Sequence, residues 1–476
     1  MKRANCYLLV LIFSAFLLVT CQDINLPAEM DEFQTNTLQS EMTWSQRVSE
    51  ARNIALNLET GLTRWDSPWW DMSHETLRDS IVASNGHVII GFKNPNELGG
   101  VDLKGKVFTS PANIEGGKNF LNGLNTKKIE EIEKIPAVSA ILNSSTSELV
   151  EKIRCHPLID YIEPNSHVRF LGAFALAEME YSFLNQTIPW NVSRIQAPDV
   201  WNRTTGSGVI VHIIDTGVTN VDDLDPATRY SNGGEFDDFH PGDGHGTLVA
   251  GITSALDNNF EQVGIAFDAD LWSGKIPEDN HERTAFIANA IGWGRSNDTF
   301  VINLSFVISA HTSITDQING AYNEDGLLIV AASGHTDISS NVIYPANLSN
   351  VIAVASVDMN NTQSSFSPSG SQIELSAPGE FIISTSRLGG LSNYISGTSF
   401  AAPHVSGAAA LLKSYNPSWS NVQIRNLLNQ YALPLGSSNN YGSGLVQVLE
   451  IIRITVDISG PVVHSGSGTY HWNSNV

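Results

Sequence analysis

Cysteine is scarce in this chain: there are three among 476 residues, Cys6, Cys21 and Cys155. Two of them fall within the first 21 positions, so Cys155 alone cannot build a disulfide framework. Stability must come from a hydrophobic core or from bound ions. Basic residues are also few, with 26 Lys and Arg against 49 Asp and Glu and a formal charge of −23. That balance argues against nucleic acid or an anionic membrane surface as a partner, and favours solubility and divalent cations. Long apolar runs are missing except at the start. What is present in ordinary amount is core-forming material: the apolar fraction is 42%, and the length has room for two or three domains.

The opening MKRANCYLLVLIFSAFLLVTCQD carries Lys2 and Arg3 ahead of the apolar stretch Tyr7 to Val19. The stretch is shorter than the ~20 residues that span a bilayer, which predicts a secretory signal over 1–21. Leu18-Val19-Thr20-Cys21 is similar to a bacterial lipoprotein box, so secretion is either free or lipid-anchored at Cys21. Residues 22–80 show no periodicity and stay unassigned. From His87 the pattern sharpens: strands at His87–Phe92, Ala137–Leu142 and Leu158–Glu163 and a helix at Ser147–Cys155 predict a small α+β module over 81–170. A connector follows at 171–188. From 189 to 452, continuous apolar runs at Val209–Ile214, Phe300–Ser305, Leu327–Ala332 and Val351–Ser356 alternate with helical stretches. Such runs suit strands buried on both faces of a parallel sheet, so the expected class is α/β, a doubly wound and mostly parallel sheet. The tail at 453–476 reads as polar and β-prone, like the truncated start of an immunoglobulin-like domain.

In open α/β sheets, sites lie outside the carboxyl ends of the strands. Asp215 stands there in IIDTGV. His245 lies in GDGHGTLVAG just ahead of a helix, and Ser399 heads the helix of SGTSFAAPHVSG. Each has an ordinary explanation alone: a turn carboxylate, a structural histidine, a hydroxyl capping a helix. His240, Asp243 and His245 could also be read as a metal site, although no further ligand follows at a recognisable spacing. Together they have another meaning. A hydroxyl becomes a nucleophile when an adjacent base takes its proton, and a carboxylate behind an imidazole fixes its tautomer. The helix start adds a positive dipole end and a free N–H that favour an oxyanion. Pro403 is expected within the first turn, where no N–H is needed from it.

These three segments, in the order Asp, His, Ser, resemble the subtilisin-like serine peptidases, or subtilases. The likeness runs from Ile188 to about Val448 and includes VINLSF, YPANLSNVIAVASVD, LSAPG and YGSGLVQV. It implies a secreted serine endopeptidase with Asp215 as orienter, His245 as general base then acid, and Ser399 as nucleophile, and with no catalytic cofactor. The 81–170 module resembles the family's inhibitor propeptide. This implies a self-processing monomeric precursor cut in the connector, with polypeptides and its own propeptide as partners. Substrate-binding positions carried over by the resemblance are Ser305, Phe306, Val307, Gly334 and Ile343.

The chain departs from the family at several positions. The oxyanion hole pairs the serine N–H with an Asn, and here that place in VAASGHTD is His335. In subtilisin itself, losing that donor costs about 10²–10³ in turnover; a histidine donates only in a suitable tautomer. Val307 and Ile308 replace two usual glycines, and Ile343 replaces a pocket glycine, which predicts small side chains ahead of the scissile bond. Phe400 stands where relatives often carry Met, and so escapes sulfoxide formation. Leu256-Asp-Asn-Asn-Phe-Glu-Gln262 sits at the family's calcium loop. The resemblance therefore implies structural calcium on Leu256, Asn258, Phe260 and Gln262 with Asp223, an ordinary polar loop being the other reading. Asn-X-Ser/Thr triplets occur at Asn143, Asn191, Asn202 and Asn347, while Asn303 reads as buried. Two rival functions stand beside the peptidase: a catalytically impaired peptide-binding protein, favoured by His335, and a surface adhesin.

Overall fold

The computed structural model describes residues 77–78, 81, 87–92, most of 118–164, 168–170, and 186–459 apart from 225–227, 231–243 and 277–282. The signal stretch, Cys21, nearly all of 22–80, the connector at 171–185, His240, Asp243 and the tail past 459 lie outside the described residues. Among the described residues no helix is long and apolar enough to cross a membrane.

The amino-terminal module is an antiparallel sheet of β1 (His87–Phe92), β2 (Lys128–Glu131), β3 (Ala137–Ile141) and β4 (Ile159–Pro164), in the order β2-β3-β1-β4, with α1 (Ser147–Arg154) packed on it. The sequence KIEE gives β2 no apolar alternation, so charge hid this edge strand. Inward residues Val88, Ile90, Val138, Val150, Ile153 and Ile162 form the module's own core, and Leu77 and Ile81 join it. Leu77, ahead of position 81, is buried in the same core. The opposite face carries Ile89, Ala137 and Tyr161, which share a core with the helices of the larger domain. Gly91 is required there: a Cβ would sit 2.1 Å from the Tyr161 ring.

The larger domain is a seven-stranded parallel sheet ordered β13-β12-β11-β9-β6-β8-β7. Its strands are β6 (Ile210–Asp215), β7 (Thr228–Tyr230), β8 (Asp270–Lys275), β9 (Val301–Leu304), β11 (Leu328–Ala332), β12 (Val351–Val357) and β13 (Ile373–Pro378). Alternate residues face opposite ways. Val211, Ile213, Val330 and Ala332 pack beneath α2 (His245–Ser254) and α5 (Thr398–Tyr415). Ile214, Ile302, Ile329 and Ala331 pack beneath α3 (Arg283–Ser296) and α4 (Thr312–Asn323). Helices on both faces explain why the strands read as continuous apolar runs. The expected strands and helices are present, and β7 (TRY), β8 (DLWSGK) and β13 (IELSAP) are additional, their apolar signal weak or diluted by polar residues. The β-prone reading of the tail fails over Arg453–Ser459, which belong to a helix, Leu449–Ser459. Its branched residues follow Glu450, Ile451 and Ile452, and the two isoleucines are buried, so packing overrides propensity.

Outside both sheets, β5 (Val168–Phe170) pairs antiparallel with β10 (Phe306–Ile308), Phe170 opposite Phe306 and Arg169 opposite Val307. Glu163, at the end of β4, accepts hydrogen bonds from the backbone N–H groups of Thr312 and Ser313, at 2.7 and 3.1 Å. A buried carboxylate thereby meets the positive end of α4.

His212 lies on the α3 side of β6, edge-on to Trp293, with neither ring nitrogen hydrogen-bonded to protein. Burial depresses it from near 6.5 to about 3, and burial likewise brings His404 to about 3. Between those values the unfolded chain binds protons that the folded chain refuses. Stability is thus full above pH 6.5 and declines as pH falls toward 3, by about 1.4 kcal/mol per pH unit for each histidine. Replacing His212 with Leu should narrow the difference in urea midpoint between pH 8 and pH 4.5. An undiminished difference would acquit His212.

Candidate active site

Three strand ends and two helix starts meet at one edge of the parallel sheet. Asp215 closes β6, and its carboxylate is buried. One oxygen accepts from the backbone N–H of Thr216 at 2.7 Å and lies 2.8 Å from His245 Nδ1. His245 is the first residue of α2. The next residue, Gly246, donates its N–H to Thr216 Oγ1 at 2.9 Å, and a Cβ there would fall 2.3 Å from the Gly217 carbonyl. The glycine after the histidine therefore permits the close approach of α2 to the turn after β6. The carboxylate on Nδ1 leaves Nε2 as the nitrogen for proton transfer. The His245 ring also leans on Phe400, centroids 5.4 Å apart.

Ser399 is the second residue of α5 and is fully buried. The helix is not capped by a hydroxyl: its N-cap is Gly397, and no side chain caps it. The two hydroxyls are used elsewhere. Thr398 Oγ1 donates to the Gly334 carbonyl at 2.7 Å and accepts from the Gly334 N–H at 3.3 Å. Ser399 Oγ donates to the Ser305 carbonyl at 2.7 Å, while Ser305 Oγ donates to the Ser399 carbonyl, also at 2.7 Å. Behind this reciprocal pair, Asn303 Nδ2 donates to Ser305 Oγ at 2.8 Å and Ser406 Oγ donates to Asn303 Oδ1 at 2.9 Å. Sequence reading missed the roles of Asn303 and Ser406. The available signal was an amide inside an otherwise apolar strand, which a buried site must satisfy.

The first-turn placement of Pro403 is corrected. The helix begins at Thr398, so Pro403 lies in its second turn. An ordinary residue there would donate its N–H to the carbonyl four back, that of Ser399. Proline frees that carbonyl, and Ser305 Oγ takes it. Asn191 is also settled: it is buried, with Nδ2 3.2 Å from His404 Nε2, and cannot serve as a glycan acceptor. Asn303 is buried as expected.

A model of the subtilase family matches residues 206–444, which contain all three segments. The chain belongs to the subtilase family. It is 39% identical over 324 residues to an alkaline protease of Alkalihalobacillus alcalophilus, covering 67% of this chain and 80% of that one. It is 43% identical over 267 residues to subtilisin BL of Lederbergia lenta, covering 55% and 97%. Subtilisin J of Geobacillus stearothermophilus is 32% identical over 368 residues, covering 73% and 92%. The protein is accordingly a subtilisin-like serine endopeptidase, a hydrolase of polypeptides, in a family that generally works without a catalytic cofactor.

The other sequence-predicted positions divide into two groups. Phe306, Val307 and Ile343 are buried in the core, and what β10 presents to a partner strand is backbone. Gly334, at φ +126, packs on Ile343; a Cβ there would meet Ile343 Cδ1 at 2.9 Å. His335 holds its Nδ1 2.6 Å from Asp337 Oδ1 and stacks on Phe366.

The second group lines the 256–262 loop. The Leu256 and Gln262 carbonyls and Asn258 Oδ1 converge on Gln186 Nε2 at 2.5, 2.8 and 3.5 Å. Positive φ at Asn259 and Glu261 (72° and 44°) bends the loop there. Asp223 beside it is buried and pushed up to about 7 by burial, with Oδ1 lacking a protein hydrogen bond. Three oxygens on one amide and an unsatisfied carboxylate oxygen make an acceptor-rich donor set that fits a hard cation. Gln186 was absent from the sequence reading. The signal was its place just ahead of Ile188, where the likeness begins.

The Ser305 pair generates a test. Replacing Ser305 with Ala removes its hydrogen bond to the buried Ser399 carbonyl, which should lower stability by about 1–3 kcal/mol. Adding Pro403→Ala returns an N–H to that carbonyl and should recover part of the loss. Strict additivity of the two changes in a urea double-mutant cycle would contradict the assignment.

Proposed function

We propose that this chain is exported as a precursor and hydrolyses peptide bonds through Asp215, His245 and Ser399. The observation that supports the reading most directly is the buried Asp215–His245 hydrogen bond, 2.8 Å long, on the same sheet edge as a serine hydroxyl at a helix start. Catalysis needs Ser399 Oγ to turn from the Ser305 carbonyl to His245 Nε2. The imidazole takes its proton as the oxygen attacks the scissile carbonyl. Asp215 holds Nδ1–H and stabilises the imidazolium. The Ser399 N–H at the start of α5 would face the developing oxyanion, and His335, in the place the resemblance gives to the family's asparagine, would be the second donor. His245 then gives its proton to the departing amine, leaving an acyl-enzyme that water opens by the same steps in reverse.

The substrate runs as a strand along β10. Support comes from β5, which adds to that edge in antiparallel register. On this reading the module is a propeptide that inhibits by occupying the substrate edge, and Glu163 on α4 fastens it. The pairing of Phe170 with Phe306 brings the end of β5 up to the residue after Ser305, whose carbonyl holds the nucleophile's hydroxyl. The maturation cut is therefore expected after Leu171. Ile343 and Gly334 argue for small to mid-sized aliphatic residues ahead of the scissile bond, with Leu171 near the upper end. Cleavage profiling that favoured large aromatics would count against this.

Purified wild-type precursor should self-cleave to a chain beginning at Gly172 and then digest casein. The Ser399→Ala precursor should stay intact, with turnover down about 10⁶-fold, the loss known for subtilisin. A wild-type precursor that remains whole, or a mutant that still matures unaided, overturns the reading.

Calcium belongs to the proposal as a structural ion. Leu256, Asn258, Phe260 and Gln262, with Asp223 and the added Gln186, would hold it. Its binding would tie the loop to the segment entering the domain. Calcium at about 100 times its Kd should raise stability by about 2.7 kcal/mol, and Asp223→Asn should shrink that gain. A melting temperature indifferent to EDTA would remove the ion from the account.

A further inference from the structure

The module's seat on α4 carries fixed charge of one sign. Glu163 is fully buried there and accepts from the N–H groups of Thr312 and Ser313 and from Ser313 Oγ. Tyr161, two residues back on the same face of β4, packs into the core that holds Ile314 and Ile318 of α4. Asp316 lies between those isoleucines, three residues after Ser313 and four after Thr312. That spacing sets it one turn along the same side of the helix from the seat of Glu163, and it is half-buried. Asp160 of β4 is the third carboxylate acting there.

Among the described residues no lysine or arginine pairs with any of the three. The cation that α3 brings to α4, Arg295, is taken by Glu324, Asp325 and Gln317. The other titratable neighbours are a histidine and two phenols. His311, just ahead of α4, has Nδ1 3.7 Å from Glu163 Oε2 and Nε2 3.1 Å from Ser309 Oγ. Tyr344 donates to the His311 carbonyl at 2.9 Å, and burial pushes both Tyr344 and Tyr161 up, so both stay neutral.

The two acids on the helix differ in what balances them. Glu163 has three donors and the positive end of α4. Asp316 has no such donors among the described residues; burial pushes its carboxyl up to about 7, and Glu163 and then Asp160 push the same way. Both of those charges belong to the module. When the module leaves, they leave with it, and so does the cover of β4, which returns Asp316 toward its ordinary 3.8. Docking therefore takes up a proton between about pH 4 and pH 7. Affinity is full below that window, falls by at most about tenfold per pH unit through it, and is lowest above 7.

We propose that Asp316 makes the module's seat a pH-dependent latch: the cleaved module is gripped in acid and let go as the medium turns alkaline, because a carboxylate of the enzyme then faces two of the module. The inference rests on the reading of the module as a propeptide inhibitor. It makes release, rather than cleavage, the step that answers to pH. An imidazolium at His311 would attract Glu163, so any charging of that ring in acid acts in the same direction.

The test uses the precursor after it has cut itself. The cleaved complex is diluted through a series of concentrations into a chromogenic peptide amide at pH 5.5 and at pH 8.5. Its initial activity is divided by that of the module-free mature enzyme at the same pH, which removes the pH dependence of catalysis and leaves a dissociation constant. The wild-type constant should be about 5- to 30-fold larger at pH 8.5 than at pH 5.5. In Asp316→Asn, whose module-free enzyme should keep the wild-type kcat/KM, that ratio should shrink at least threefold, through tighter binding at pH 8.5. Asp160→Asn, which leaves the enzyme itself untouched, should shrink it by a smaller factor. A wild-type ratio below threefold, or one unchanged in Asp316→Asn, overturns the proposal. Should the Asp316→Asn chain not fold, an unchanged ratio in Asp160→Asn overturns it equally. Failure of the propeptide reading would look different: the precursor would never cleave, or the cleaved complex would be as active as the module-free enzyme at both pH values.

Discussion

The two hydrogen bonds exchanged by Ser305 and Ser399 are the constraint on which the site's geometry depends. One residue directly follows a central strand of the sheet; the other is second in the long helix packed on it. Each hydroxyl takes the other's carbonyl. The strand end is thereby locked to the helix start, and the edge that receives β5 is set a fixed distance from the serine oxygen. The helix contributes a proline that withholds its own claim on the Ser399 carbonyl. Deleting an N–H one turn along the helix from Ser399 thus becomes part of how that hydroxyl is aimed. Asn303 and Ser406 complete the chain of donors, so the lock contains no buried hydroxyl left to itself.

How much of this could be read beforehand depended on the range of the interaction. Strands buried on both faces announce themselves as apolar runs, and β6, β9, β11 and β12 were legible to within a residue or two. Asp215 and His245 were legible because strand ends and glycine-flanked helix starts have local signatures. Strand β2 was hidden by charged residues, for an edge strand need not be apolar, and the interior strand β8 by the polar residues that dilute DLWSGK. The helix over Leu449–Ser459 was hidden by branched residues at its end, where local propensity points to strand and burial of Ile451 and Ile452 decides otherwise.

The contacts that sequence could not supply are those joining distant segments through single atoms. Gln186 meets the 256–262 loop across some seventy positions, and Glu163 reaches the start of α4 from another module. Neither glutamine nor glutamate is unusual in a polar stretch. Their meaning appears only when the fold sets a carbonyl cluster or a helix terminus in front of them. The same applies to Pro403, whose place relative to the helix start changed once the start was known to be Thr398.

The module's grip on the larger domain uses three separate kinds of force. Tyr161, Ile89 and Ala137 contribute apolar area against α3 and α4, Glu163 contributes charge at a helix terminus, and β5 contributes backbone pairing. Apolar contact and charge are indifferent to catalysis; only the strand pairing occupies the edge next to Ser399. On the proposed reading, cutting the chain after β5 would remove the tether but none of the three contacts, so cleavage and release would be distinct events, and the cleaved module would stay bound until dilution, unfolding or digestion removed it. On the proposed reading, inhibition after the cut is a matter of affinity: a strand on β10 competes with substrate for the same backbone, while Glu163 and Tyr161 supply binding energy that an ordinary substrate lacks.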